Sequence, residues 1–405
     1  MNYRFALLLS ALLMIVAPGL AQPIAPVAEN LIDGCVTDYD PSVDYFPAKV
    51  ELTDAENFSV AYFNHYKVVT VQDAFEDAPI YDYVLVQCGT PAPDADDFPE
   101  GTQFVEVPTG NIIAMSTTQL PQLVALDLVD KLVGLDSFLY ANTPEVRTLI
   151  DAGALVEVGS GAQINLELVL ETEPGIVMTY GFDPDTDAHP KLIEAGIFTA
   201  LNAEWREATP LGRAEWIKYT ALFYNAEAQA ESVYAEIATE YNAARELVAD
   251  IPAVDRPVVL WNAYSTYGEA WLIPGAETYV GRLILDAGGV IALGEQALEG
   301  SVPLSLEVVY DGALAADIWV TNLYGVVNLD DLLAQDERYA DFAAVQNGQV
   351  WNDDLAVNEN GGSNFYELGV TNPQLILQDL VALFYPELLP NHEFIFYRLL
   401  LPTAQ

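Results

Sequence analysis

The chain has 405 residues, of which 14 are Lys or Arg and 60 are Asp or Glu, so its formal net charge is −46. A surface this negative repels the phosphates of nucleic acids and the headgroups of anionic lipids, which excludes nucleic-acid binding and polybasic membrane binding. The apolar fraction of 52% is sufficient for a large hydrophobic core and excludes a wholly disordered chain.

The first 21 residues have the order of a secretory signal peptide. Arg4 precedes a mostly apolar run over residues 5–17, and a break at Pro18 leads to the small residue Ala21. The apolar run is shorter than the roughly 20 residues that a membrane-spanning helix needs. We therefore expect export with cleavage after Ala21, which places the mature protein in the periplasm or on the extracellular side of the membrane.

The chain contains two cysteines, Cys35 and Cys88. An exported protein meets an oxidising compartment, so we expect these two residues to form a disulfide. Two buried free thiols are the alternative. Neither cysteine belongs to a nucleophile motif, and we assign neither a catalytic role.

After the signal peptide, residues 22–208 contain two predicted parts with different secondary structure. Residues 22–110 predict a β-rich segment packed on the first lobe, because β-branched and aromatic residues dominate short runs separated by turns. These runs are 58–63, 67–71, 83–86 and 104–107. Residues 111–208 then alternate short strands with short helices, which is typical of an α/β lobe with a mainly parallel sheet.

The second half of the chain begins with long helices. Over residues 209–250, Thr209 and the following proline form a helix start, and a longer helix is predicted over 226–249 with apolar residues on one side. The strand–helix alternation restarts over 251–405. The predicted fold class is therefore α/β, with two lobes built on mainly parallel sheets, a single long helix joining them, and an N-terminal β-rich elaboration.

Catalytic and metal-binding motifs are missing from the sequence. The three histidines, His65, His189 and His392, lie in different regions, whereas a histidine-rich metal site needs several in one cleft. No metalloprotease, hydrolase or phosphate-loop motif occurs. We expect structural histidines, no catalytic residues, no metal site and no cofactor.

Aromatic side chains near predicted strand ends form the strongest candidate site. Ligands of open α/β sheets bind beyond the carboxyl ends of the strands, and a cleft with many aromatic and few polar groups suits a bulky organic or organometallic ligand. The alternative is that most of these rings belong to the core. The candidate aromatic residues are Tyr180, Tyr264, Trp271, Tyr324, Trp351 and Tyr366, and the candidate polar anchors are Ser116, Thr117, Arg206, Asn262 and Asn364.

Three stretches resemble a known family. They are IIAMSTTQLPQLVALDLVDKLVGL (112–135), GSGAQINLELVLETEPGIVMTY (159–180) and SVPLSLEVVYDGALAADIWV (301–320). Their content and order resemble the helical-backbone (class III) solute-binding proteins of ABC transporters for iron–siderophore complexes and cobalamin. The resemblance covers about residues 111–388. Two departures are Asp127 in place of the usual glycine and Glu173-Pro174 in place of Pro-Asp.

The resemblance implies a receptor rather than an enzyme. It implies that the protein binds a bulky metal chelate between its lobes, iron–siderophore-like or corrinoid, and delivers it to the ABC permease. It also implies that Glu167 and Glu307 dock onto arginine pockets of the permease. We also expect the protein to be a monomer. Alternatives are a receptor of the same fold for a bare metal ion or haem, a secreted enzyme, or a surface interaction module.

Overall fold

The computed structural model of the protein describes residues 27–294 and 300–403. The predicted signal peptide, residues 1–21, lies outside the described residues. Within these two ranges, no helix has both the length and the apolar composition required to cross a membrane.

The N-terminal segment forms its own sheet, with strand order β1-β2-β3-β4. Its strands are β1 (Phe58–Tyr62), β2 (Tyr66–Val71), β3 (Tyr81–Gln87) and β4 (Gln103–Val107). The β1–β2 and β2–β3 pairs are antiparallel, whereas β3 and β4 are parallel. A disulfide joins Cys35 to Cys88, immediately after β3, which confirms the predicted pairing. It ties the extended lead of the chain to this sheet.

The next part, which we call the N-lobe, contains a parallel sheet of order β7-β6-β5-β8-β9. Its strands are β5 (Ile112–Ala114), β6 (Leu132–Leu135), β7 (Val156–Glu157), β8 (Ile176–Thr179) and β9 (Thr199–Leu201), and its helices are α1 (Leu120–Ala125), α2 (Pro144–Asp151), α3 (Leu166–Glu171) and α4 (His189–Glu194). Strands β5, β8 and β9 are buried at every residue, as expected when helices cover both faces of a parallel sheet.

The two departures from the resembled family are both left-handed turn residues. Asp127 has φ 56° and Glu173 has φ 47°. Aspartate tolerates this conformation better than most residues, although glycine is favoured there. Helix α1 stops at Ala125, before Asp127.

Two helices link the lobes, α5 (Pro210–Leu222) and α6 (Glu227–Glu246). Thr209 caps α5, because its hydroxyl accepts a hydrogen bond from the Gly212 N–H at 2.9 Å. Asn225, at φ 57°, makes the turn between the two helices. Helix α5 is buried on nearly all sides, whereas α6 has a buried stripe with a three- and four-residue spacing. The predicted long helix is thus present.

The remaining part, which we call the C-lobe, has a main sheet of order β13-β10-β15-β16-β17 and a small antiparallel sheet of order β11-β12-β14. Its strands are β10 (Val258–Trp261), β11 (Tyr264–Ser265), β12 (Ala270–Ile273), β13 (Val290–Ile291), β14 (Val302–Leu304), β15 (Ile318–Thr321), β16 (Val350–Asn352) and β17 (Arg398–Leu399). Its helices are α7 (Tyr279–Asp286), α8 (Leu306–Ala313), α9 (Leu329–Leu333), α10 (Ala343–Gln346), α11 (Leu368–Thr371) and α12 (Pro373–Phe384). Only β17 runs antiparallel in the main sheet of the described residues, and α6 packs between α5 and α12.

Buried charges attach the N-terminal segment to the linking helices. Lys67 on β2 forms an ion pair with Glu227 at 2.7 Å, and both side chains are 0% exposed. The carboxylates of Glu215 and Glu207 accept hydrogen bonds from the backbone N–H groups of residues 53–57. The segment therefore packs on the linking helices, and Gln103 of β4 also hydrogen-bonds to the Thr199 backbone in the N-lobe.

Candidate ligand-binding cleft

The lobes face each other across a cleft at the carboxyl ends of their parallel strands. Six cleft residues come within two positions of a strand end: Ser116, Asp136, Tyr180, Asn262, Asn322 and Asp353. This is where open α/β sheets bind ligands, because the strand ends and the loops that follow them converge at one edge.

The larger part of the cleft is a cavity of about 640 Å³. Residues before and within α5 form one wall, and loops of the C-lobe form the other. The principal lining residues are Trp205, Arg206, Arg213, Trp261, Asn262, Glu277, Tyr279, Asp353, Phe365 and Tyr366. A smaller part of about 250 Å³ is lined by Ser116, Thr117, Asp136, Tyr140, Tyr180, Ser363 and Tyr366. Tyr366 borders both parts and so connects them.

Aromatic faces mark the rim of the larger cavity. Trp205 packs against Phe182 with ring centroids 5.7 Å apart, and Phe182 is 66% exposed. The Trp205 indole N–H donates to the Gly181 carbonyl at 3.0 Å, which fixes the ring. On the other wall, Tyr366 packs edge-to-face on Phe365 at 5.0 Å.

Both arginines of the cavity already have acidic partners. Arg206 donates to both carboxylate oxygens of Asp73 at 2.9 Å. Arg213 donates to the Trp205 carbonyl at 2.7 Å and lies 3.9 Å from a Glu204 oxygen. The predicted cleft residue Arg206 therefore borders the cavity, but its charge is compensated from within the protein.

Two carboxyl groups of the cleft have raised pKa values. Burial raises the pKa of Asp136 to about 6. Burial, followed by the charge of Asp354, raises the pKa of Asp353 to about 7. Asp354 itself pairs with Arg398 at 2.9 Å. Sequence reasoning missed both raised carboxyls, although each directly follows a strand of its lobe, β6 or β16.

The lobes also touch directly beside the cleft. The buried carboxylate of Glu367 in the C-lobe accepts hydrogen bonds from the backbone N–H groups of Asn142 and Thr143 in the N-lobe, at 2.8 and 2.6 Å. Asn358 donates to the Leu139 carbonyl at 3.0 Å. These contacts fix the two cleft walls relative to each other, and nothing in the sequence pattern indicated them.

The predicted ligand-binding residues separate into two groups. The cleft lining contains Ser116, Thr117, Tyr180, Arg206, Asn262 and Tyr366. Tyr264 borders a different opening, of about 660 Å³, on the surface of the C-lobe. The lining of the cleft does not include Tyr324, Trp351 or Asn364: the Tyr324 hydroxyl donates to the Glu359 carbonyl, and Trp351 packs on Phe394.

The expectation for Trp271 is corrected by the structure. Its ring is fully buried and packs on Trp319, Tyr339 and Phe342, and its N–H donates to the Trp261 carbonyl at 2.7 Å. Strand β12, which carries Trp271, belongs to the small antiparallel sheet, and this ring faces inward rather than toward the cleft.

Glu167 and Glu307 occupy matching positions in the two lobes. Each is exposed and is the second residue of a short helix, α3 or α8, that follows a capping side chain. The caps are Asn165 and Ser305. Glu307 also lies 3.7 Å from Arg338.

A second cavity, of about 790 Å³, lies away from the cleft. Residues of the N-terminal lead (28–34), the turn after α1 (126–131) and the α5–α6 junction (224–229) line it. No described residue of the C-lobe is part of this lining. Among the described residues, no group of three or more His, Cys, Asp or Glu side chains is arranged to hold a metal ion.

Comparison with known proteins identifies related chains. Residues 112–355 match the family model described as periplasmic binding protein. An uncharacterized lipoprotein of Methanocaldococcus jannaschii is 25% identical over 323 residues, which are 77% of this chain and 74% of that protein.

Solved structures with the same fold include two bacterial proteins. A periplasmic binding protein from Veillonella parvula superposes with a TM-score of 0.54 at 15% identity, over 82% of this chain and 98% of that chain. The periplasmic heme-binding protein RhuT from Roseiflexus sp. superposes with a TM-score of 0.50 at 23% identity, over 67% of this chain and 99% of that chain.

Proposed function

The chain belongs to the periplasmic binding protein family, and we propose that it captures a bulky metal chelate, iron–siderophore-like or corrinoid, between its lobes and delivers it to an ABC importer. The observation that carries this proposal is the aromatic cleft formed by both lobes. Its larger cavity of about 640 Å³ lies within the range of small-molecule sites, about 300–1,000 Å³.

The chemistry of the cleft walls supports a large, partly apolar ligand. Trp205 and Tyr366 offer ring surfaces from opposite walls, and Ser116 and Thr117 offer hydroxyl groups in the smaller part. Rings supply contact area at low entropic cost, while a few polar groups orient the ligand. A chelate with an organic shell around its metal fits this combination.

Haem is the second candidate, favoured by the similarity to the heme-binding protein from Roseiflexus. Haem carries two propionate groups, which need cationic partners. Arg206 and Arg213 already have acidic partners, so the cleft offers no uncompensated guanidinium to a propionate. Because of this charge distribution, we consider haem a less suitable ligand for the cleft than a neutral chelate.

Glu167 and Glu307 complete the proposal as the permease-docking residues. One exposed carboxylate on each lobe allows charge-assisted contact with arginines of a membrane partner, and two separated contacts report on the relative position of the lobes.

Tryptophan fluorescence tests the proposal. Separate titrations with a ferric trihydroxamate, cyanocobalamin and haemin should give saturable 1:1 quenching with at least one chelate, with a Kd of about 1 μM or below. Trp205→Phe should remove a large part of the quenching, because Trp205 lies in the cleft wall. Trp351→Phe, outside the cleft lining, is the matched control. Absence of saturable quenching with all three chelates contradicts the proposal.

A further inference from the structure

Asp353 is the most unusual polar residue of the cleft. It directly follows β16, borders the larger cavity and is only 8% exposed. No other residue of the described ranges donates a hydrogen bond to its carboxylate. Its own backbone N–H is the hydrogen-bond donor that acts to lower its pKa. A buried carboxylate with so little compensation is costly, so such a group in a cavity wall indicates a partner that arrives from outside.

The neighbours of Asp353 already hold the local chain in place. Asn352 donates to the Leu323 and Val326 carbonyls at 2.8 and 3.0 Å. Asp354 forms an ion pair with Arg398 at 2.9 Å. The turn after β16 is therefore fixed without any contribution from the Asp353 carboxylate.

The balance of charge in the cleft is negative. The guanidinium groups of Arg206 and Arg213 face Asp73 and Glu204, respectively. In contrast, Asp136, Glu277 and Asp353 border the cleft without an ion-pair partner among the described residues. Burial raises the pKa of Asp353 to about 7, as expected of a carboxyl with no cation nearby.

We propose that Asp353 selects the ligand by accepting a hydrogen bond from a protonated amine, so that the cleft prefers chelates of positive or zero net charge over polyanionic chelates. This inference rests on the proposed function and adds the charge class of the ligand. A single ammonium group against a carboxylate in a sheltered cavity forms a charge-assisted hydrogen bond, which is stronger than a neutral one.

A matched pair of ligands tests the inference on the unaltered protein. Ferrioxamine B is a linear ferric trihydroxamate with one primary ammonium group, and its N-acetyl derivative is the same chelate with that charge removed. We expect the wild-type protein to bind the ammonium form about tenfold more tightly, which corresponds to about 1.4 kcal/mol. Equal affinities, or tighter binding of the acetylated form, would overturn the inference.

Substitution of Asp353 tests whether this residue causes the preference for the ammonium form of the chelate. Asp353→Asn should reduce the affinity ratio of the two chelates to about one while leaving the affinity for the acetylated form within about twofold. Asp250→Asn removes the same charge at an exposed position after α6 and should leave the ratio unchanged. If Asp353→Asn keeps the affinity ratio of the wild-type protein, another group binds the ammonium, which overturns the assignment of the preference to Asp353.

The failures of the two proposals are distinguishable. If both chelates bind with equal affinity, the result supports a chelate receptor but overturns the selection of the ligand by Asp353. If neither chelate, nor cyanocobalamin, nor haemin binds, the proposed function is contradicted and the charge preference is overturned with it.

Discussion

Two regions of the molecule bury carboxylates in opposite ways. At the junction between the N-terminal sheet and the linking helices, Glu227 meets Lys67, and Glu215 accepts three backbone N–H groups while also pairing with Lys218. In the cleft, Asp353 is nearly as buried, and its carboxylate has its own backbone N–H as a donor but no ion-pair partner among the described residues. Burial alone therefore does not separate structural acids from candidate binding acids.

The difference lies in where the compensating partner comes from. A buried carboxylate that is satisfied within the chain contributes to a fixed arrangement, and the removal of its partner is destabilising. A buried carboxylate beside an open cavity lowers the stability of the unliganded protein and leaves its hydrogen-bonding capacity for a ligand. The junction and the cleft should consequently respond to substitution with opposite signs.

The largest expected effect is at the junction. Lys67→Met leaves the Glu227 carboxylate buried without its cation and should lower the free energy of unfolding by about 3–5 kcal/mol. Urea titration followed by tryptophan fluorescence measures the loss. Lys49→Met breaks the exposed pair with Asp44 and should cost at most about 1 kcal/mol. Equal losses of stability in the two variants would contradict the expected difference between the buried and the exposed ion pair.

Removal of the Asp353 charge in the cleft should instead raise the free energy of unfolding, and the gain should depend on pH. The pKa of Asp353 rises from 3.8 to about 7 on folding, so the unfolded chain loses this proton at lower pH than the folded protein. This penalty for folding begins above about pH 4, grows with pH and levels off above about pH 7. The groups facing Asp353 are Asp354, Tyr366 and Tyr397.

Asp353→Asn should therefore raise the melting temperature, and by about 5 °C more at pH 8 than at pH 5. Differential scanning fluorimetry at the two pH values measures the gain. A lower melting temperature for Asp353→Asn at pH 8 would mean that the carboxylate is satisfied in the folded protein.

A smaller effect is expected at the aromatic rim. Phe182→Ala removes an exposed ring that packs on Trp205 and should weaken chelate binding about fivefold to twentyfold. Phe63→Ala is the matched control, because Phe63 is also exposed and stacks on a single aromatic neighbour, Tyr66, but in the N-terminal sheet. Isothermal titration should show unchanged affinity for the control. Equal weakening of chelate affinity in both variants would contradict binding of the chelate in the cleft.

The smallest expected effect on the isolated protein is at the docking residues. Glu167→Ala and Glu307→Ala should leave chelate affinity and stability within about 0.5 kcal/mol, because both residues are exposed. Chelate-dependent ATPase activity of the permease in membranes should fall about tenfold in the double variant. Glu171→Ala, at the other end of α3, should retain full stimulation.

The sequence was sufficient for the architecture because that information is local. Strand–helix alternation predicted both lobes, and Thr209-Pro210 marked the start of the linking helices. Residues 329–346 form two short helices, α9 and α10, with a tighter helical turn at Glu337–Asp341 between them. Phe342 there has extended φ and ψ angles, and its buried ring lies in the core.

The candidate site was less predictable because strand ends do not reveal which way a side chain points. Trp271 and Tyr366 looked alike in the sequence, yet one is a core ring and the other borders the cleft. Asp353 could not be singled out among 60 acidic residues, since its distinguishing property is a buried carboxylate with no ion-pair partner among the described residues. That property depends on contacts distant in sequence.

The most direct test is the structure of a complex with a redox-inert gallium trihydroxamate that carries one ammonium group. We predict density between the lobes, in contact with Trp205 and Tyr366 and with the ammonium group beside Asp353. Density in the 790 Å³ cavity beside residues 126–131, with the interlobe cleft unoccupied, would contradict it.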